Sequence, residues 1–181
     1  HREDAVISKK YNFYPTDIFF SKNISVLFNA PVTGYVPGKT GIYAISPSGK
    51  ALYRGPLDSP LNSSLDTRSL GSFTLLCDTV PPEIELLNPY ADGAKVRSGH
   101  ALAFTFKDTL SGVSGEENYT VHLNGEKQIV KFLPQNNTGI VIPFKVLPAG
   151  SHDLRIRVSD RAGNTSTKKI RFIIPRPIYP D

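Results

Sequence analysis

The stretch Val158-Ser159-Asp160-Arg161-Ala162-Gly163-Asn164 decides the fold, because one strand pattern runs into it and another runs out of it. Upstream, Leu154, Ile156 and Val158 alternate with Arg155 and Arg157; downstream, Ile170, Phe172 and Ile174 alternate with Arg171. Successive side chains on a strand point to opposite faces, so a period of two marks a strand buried on one side. Between the two runs, Gly163 and Asn164 are residue types that tolerate positive φ. The segment reads as a long β-hairpin closing a β-sandwich.

Moving outward, the same period recurs through the second half of the chain. Residues 83–87, 102–106, 119–123, 127–130 and 140–142 read as five further strands, giving seven with the hairpin. Asn124-Gly125 is the residue pair a two-residue type I′ turn requires, so 119–123 and 127–130 form a hairpin. Seven short strands separated by turn residues predict an immunoglobulin-like sandwich. Before it, residues 11–15, 17–20, 24–28, 42–45, 50–53, 65–70 and 72–77 read as shorter strands, with 42–45 and 50–53 paired across Ser46-Pro47-Ser48-Gly49. The two prolines of Asp78-Thr79-Val80-Pro81-Pro82 cannot donate to a sheet ladder and mark a boundary. The expectation is an all-β chain of two tandem domains: a small β-sandwich over residues 1–79, with strands missing upstream, and an immunoglobulin-like sandwich over 80–181.

Composition narrows the class. The 181 residues are 39% hydrophobic and 20% charged, with a net charge of +5, the balance of a folded protein and not of a disordered one. Nucleic-acid binding wants basic residues on one face interleaved with aromatics; the densest basic group, Lys168, Lys169 and Arg171, reads as a solvated strand edge with at most a weak pull on anionic polymers. The single cysteine, Cys77, excludes an internal disulfide and reads as a buried small residue in an apolar run. No run is long and apolar enough to span a membrane as a helix. The start shows no signal peptide, and His1-Arg2-Glu3-Asp4 reads as a cut within a longer chain.

Three phrases carry a resemblance: Asp78-Thr79-Val80-Pro81-Pro82, Asp108-Thr109-Leu110-Ser111-Gly112-Val113 and Asp160-Arg161-Ala162-Gly163-Asn164. Together they resemble the bacterial immunoglobulin-like modules of cell-envelope proteins, over residues 78–175. Residues 11–77, with Leu70-Gly71-Ser72-Phe73-Thr74-Leu75 leading into the Asp-x-x-Pro-Pro entrance, look like the small β unit that precedes such a module. The pair is similar to the non-catalytic C-terminal region of lysostaphin-class (LytM-type) zinc peptidoglycan endopeptidases. That enzyme's His-x-x-x-Asp and His-x-His ligands are missing: Phe104, Glu126 and Ile156 stand four residues after His100, His122 and His152. The resemblance implies an accessory region whose catalytic domain lies elsewhere.

Candidate chemistry is sparse. Asp78, Asp108 and Asp160 are the candidate calcium ligands, because two lie at ends of strands expected to be neighbours and calcium takes oxygen donors. The competing and favoured reading is that each accepts backbone amides in its own loop. His152-Asp153 reads as a solvated turn. Glu116 and Glu117, adjacent on a strand, point to opposite faces and do not form an acid pair. No serine or cysteine sits in a nucleophile motif. Tyr11, Phe13, Tyr14, Phe19 and Phe20 are needed for the first core, with sugar stacking as their other use. The reading is a non-enzymatic accessory or interaction module without a cofactor, periplasmic or extracellular in the bacterial envelope. Its partner would be a protein or an attached catalytic domain, met through loops and strand edges, and not nucleic acid. The alternatives are a carbohydrate- or peptidoglycan-binding module, and a fragment of a cell-wall hydrolase.

Overall fold

In the computed structural model, which describes residues 6–16, 18–28, 33–61, 63–87, 89–143 and 146–176, every regular element longer than a 3-10 turn is a β-strand. Cα packing divides the chain into two compact units. One takes the chain up to Val80 with Thr109–Gly112 and Arg161–Asn164; the other takes Pro81–Asp108, Val113–Asp160 and the chain from Thr165 onward.

The first unit contains β1 (Tyr11–Asn12), β2 (Phe19–Phe28), β3 (Thr40–Ile45), β4 (Ala51–Pro56), β5 (Ser63–Ser69) and β6 (Ser72–Cys77). A four-stranded antiparallel sheet, ordered β1-β6-β3-β4, accompanies the ribbon β2-β5. Val26 and Phe28 from β2, Leu65 from β5, Ile42 from β3, and Phe73 and Leu75 from β6 form its core. Tyr11 packs edge-on against Phe28 and Phe13 against Phe73, so two of the candidate sugar-stacking rings belong to the core. Tyr14 and Phe19 are exposed. The strand expected over 11–15 shrinks to β1, and the two expected over 17–28 merge into β2, with a register shift between Phe19 and Ile24. Cys77 is half-buried, not buried, because β6 ends on it.

The second unit contains β7 (Glu83–Leu86), β8 (Leu102–Lys107), β9 (Tyr119–Leu123), β10 (Glu126–Gln128), β11 (Lys131–Leu133), β12 (Thr138–Val141), β13 (Gly150–Ser159) and β14 (Thr165–Ile174). β13 and β14 pair in unbroken register from Gly150↔Ile174 to Ser159↔Thr165. The sheets are ordered β10-β9-β13-β14 and β11-β12-β8-β7, which in immunoglobulin lettering are C′-C-F-G and D-E-B-A. Asn124 and Gly125 both take positive φ, 52° and 85°, as the type I′ turn requires. Where one strand was expected over 127–130, the chain leaves β10 and reappears in the opposite sheet as β11, an eighth strand. The expected neighbours β8 and β13 also lie in different sheets. Glu116 and Glu117 sit exposed in a 3-10 turn instead of on a strand.

The core joins both sheets: Leu102, Phe104, Phe106 and Val141 from one, with Val121, Ile156, Val158 and Phe172 from the other. Phe104 shows no exposed surface. Opposite it on β12 stands Gly139, and a Cβ there would clash with the edge of the Phe104 ring, at Cζ. Gly139→Ala should therefore destabilise the second unit by about 1–3 kcal/mol through overpacking, and adding Phe104→Leu should return part of that loss. Urea unfolding of the two variants checks it; equal losses with and without the Phe104 change would assign the cost of the added methyl to something other than the ring.

Candidate functional site

Asp78 follows β6, Asp108 follows β8 and Asp160 follows β13, each being the first residue past a strand end. Asp78 and Asp160 are each 2% exposed, and Asp108 is half-buried. Asp78 belongs to the first unit and Asp108 and Asp160 to the second. Within the second unit, one carboxylate oxygen of Asp108 lies within 4.8 Å of one of Asp160, with no histidine beside them among the described residues.

A buried carboxylate is costly unless donors surround it. Asp78 Oδ1 accepts the Val80 N–H at 3.2 Å, two residues on, and Oδ2 accepts the Ser111 N–H at 2.9 Å. The Asp78 carbonyl accepts the Asn164 side-chain Nδ2 at 2.9 Å, and its N–H donates to the Lys39 carbonyl at 2.8 Å. The Lys39 ammonium in turn donates to the Ala162 carbonyl at 3.0 Å, and the Arg161 N–H donates to the Gly112 carbonyl at 2.9 Å. The Asn118 amide reaches the Asp160 carbonyl at 3.5 Å. Residues from all three resemblance phrases therefore share one hydrogen-bond network.

Two residues differ from their expected roles. Asn164 is absent from the positive-φ residues, which include Gly163 at 72°; its work is done by its amide, not its backbone. His152 is not a solvated turn residue but is 4% exposed and stacked on Phe172. Its Nε2 donates to the Pro148 carbonyl at 2.9 Å, so its Nδ1 accepts from Asn124 Nδ2, also at 2.9 Å. Lys39 and Asn118 had no signal in the sequence, because neither lies in a motif. Ser111 Oγ is buried and without a hydrogen-bond partner among the described residues.

The paired Asp108 and Asp160 carboxylates of the second unit are oxygen donors of the kind that suits a hard cation. Tyr119 follows Asp108 by eleven residues: burial first, then Glu116 and Glu117, push its phenol above the ordinary range. That is a desolvated core tyrosine, packed on Phe106 and Phe132.

No family model matches the chain, and no curated protein matches it in sequence. Among solved structures, the crystal structure of CopC from Methylosinus trichosporium OB3b is similar at 16% identity, covering 54% of this chain and 100% of its own, with a TM-score of 0.40. PcoC, a methionine-rich copper resistance protein from Escherichia coli, is similar at 17% identity over 51% of this chain and 98% of its own, with a TM-score of 0.38. This chain contains no methionine.

Removing the Asp78 side chain leaves two backbone donors without their acceptor. Asp78→Ala should lower stability by about 1–3 kcal/mol, and Asn164→Ala should lower it by less, since only one bond to a carbonyl is lost. Thermal unfolding of both variants checks the order, and an Asp78→Ala protein as stable as the parent would mean that water replaces the carboxylate.

Proposed function

We propose that this chain is a non-catalytic accessory module of a bacterial cell-envelope protein, periplasmic or extracellular, which positions or regulates an attached domain. The observation that carries the reading is the convergence of the three resemblance phrases on the Asp78 network. Their polar groups bond to backbone amides and carbonyls, so the most distinctive residues of the chain serve architecture. The resemblance makes a lysostaphin-class peptidoglycan endopeptidase the first candidate for the attached domain. Recognition then falls to loops and strand edges, where unpaired backbone groups are available to a partner chain.

Direct glycan binding is the weaker reading. Of the five aromatic residues near the start, Tyr11 and Phe13 pack into the first core and Phe20 is half-buried, which leaves Tyr14 and Phe19 exposed and not a row of rings. Co-sedimentation of the chain with purified peptidoglycan sacculi, at low and high salt, tests the accessory role. The expected result is no loss of sacculus turbidity and no pelleting that survives high salt. Salt-resistant pelleting would replace the accessory reading with a carbohydrate-binding one, and falling turbidity would replace it with a hydrolase.

Calcium is the ion the carboxylate donor set would take, and it has no part in this reading, because Asp78 meets both oxygens with amides. Millimolar calcium, or a chelator, should therefore leave the thermal midpoint unchanged. A midpoint that rises with calcium concentration would make the cluster a metal centre by linkage.

A further inference from the structure

The sheet β10-β9-β13-β14 has a second face, opposite the core. Along β13, Leu154, Ile156 and Val158 are buried, and Asp153, Arg155 and Arg157 alternate with them outward. The register then sets side chains of the outer face in line across the strands. Lys127 on β10 stands opposite His122 on β9, His122 opposite Arg155 on β13, and Arg155 opposite Lys169 on β14. Strands lie about 4.8 Å apart, so this row is about 14 Å long. Lys168, adjacent to Lys169 in sequence, pairs with core-facing Ile156 and is not part of it.

Like charges directly opposite one another destabilise a sheet. In the neighbouring row the chain places a counter-charge: Asp153 accepts two bonds from the Arg171 guanidinium, at 2.8 and 3.4 Å. Those bonds hold the Asp153 carboxyl below its ordinary range. Asp92 accepts the Arg171 N–H at 2.9 Å. Both carboxylates beside the row are therefore directed to Arg171. Among the described residues, Lys127, Arg155 and Lys169 have no ion pair. An open concavity of about 680 Å³ lies over the middle of the row, lined by His122, Arg155 and Lys169 and equally by Asp92, Asp153 and Arg171, the two carboxylates being those that bond Arg171.

We propose that this face binds a linear phosphate polymer. Charge complementarity selects the class: three cations and a histidine in a line match several anionic groups spaced along a chain better than one compact ion. Arg155 supplies a guanidinium fork suited to phosphate, and the two lysines supply point charges. The face carries no Phe, Tyr or Trp among Thr120, His122, Arg155, Arg157, Thr167 and Lys169. It thus offers no stacking platform for nucleobases or neutral sugar rings, and charge has to carry the binding.

The test is titration of the whole chain with inorganic polyphosphate, monophosphate, poly-glutamate and single-stranded DNA, at two salt concentrations. Polyphosphate should bind best, and more weakly at higher salt. The double variant Arg155→Gln/Lys169→Gln should weaken that binding by roughly tenfold or more. A charge-matched control in the first unit, Lys50→Gln/Arg54→Gln, should change it by less than about twofold. Equal losses in both variants would reduce the effect to net charge and overturn the proposal. So would monophosphate binding as well as polyphosphate, or poly-glutamate or DNA binding better. All four substituted residues are exposed, and an unchanged thermal midpoint shows that a loss of binding is not a loss of fold.

Discussion

A carboxylate taken out of water needs N–H donors, and at Asp78 that requirement organises three stretches of chain far apart in sequence. The carboxylate takes the Val80 amide from the same turn and the Ser111 amide from the loop after β8, while the backbone carbonyl of the same residue takes the Asn164 side-chain amide from the loop after β13. Each loop is bent to present a backbone or side-chain group to one residue, and Gly112 and Gly163, at φ 76° and 72°, allow the bends. Uncompensated, the buried charge would cost several kcal/mol, so the loops have little freedom to change without the aspartate. Three phrases that look like separate turn motifs in the sequence are one physical unit.

Strand existence was legible because alternation is a direct image of burial. Leu154, Ile156, Val158, Ile170, Phe172 and Ile174 are all in the core, as their spacing requires. Asn124-Gly125 was legible because two positive φ values admit few residue pairs. The misreadings share a cause: they concern residues whose role depends on a partner distant in the chain. His152 looks like a polar turn residue until Asn124 and the Pro148 carbonyl are placed on its two nitrogens. Asn164 looks like a turn former until the Asp78 carbonyl is placed beside its amide. β11 was missed because Ile129 and Val130 prolong the apolar look of β10 while the chain is crossing between sheets. Three aspartates with turn chemistry on either side were legible as candidate ligands, but which of their oxygens meet amides was not.

The outer face of the C′-C-F-G sheet repeats the lesson in charge. Sequence adjacency groups Lys168 with Lys169, but strand geometry separates them, since neighbours on a strand point to opposite faces. Register instead joins Lys169 to Arg155, fourteen positions earlier, and Arg155 to His122. A basic cluster is therefore a property of pairing and not of local composition. The alternation that makes the hairpin readable also assembles this row, because every outward position between two core residues is free to carry charge.

Where buried polar groups find their partners bears on the class of function. A reactive centre keeps titratable groups unsatisfied or poised in a cleft. Here the buried groups with recorded partners are closed on structure: Asp78 on amides, His152 between an asparagine and a carbonyl, Tyr90 on the His100 carbonyl at 2.9 Å. Burial pushes the Tyr90 phenol up without giving it a base or a cleft. Exposed groups behave in the opposite way, since Arg155, Lys169 and Lys127 face outward in line with no counter-ion among the described residues. The interior is not fully closed, since Ser111 Oγ, the Tyr119 hydroxyl and His122 Nδ1 are buried without a hydrogen-bond partner among the described residues, but of the three only His122 belongs to the outward row. The row of exposed cations is where that distribution leaves charge open to a partner.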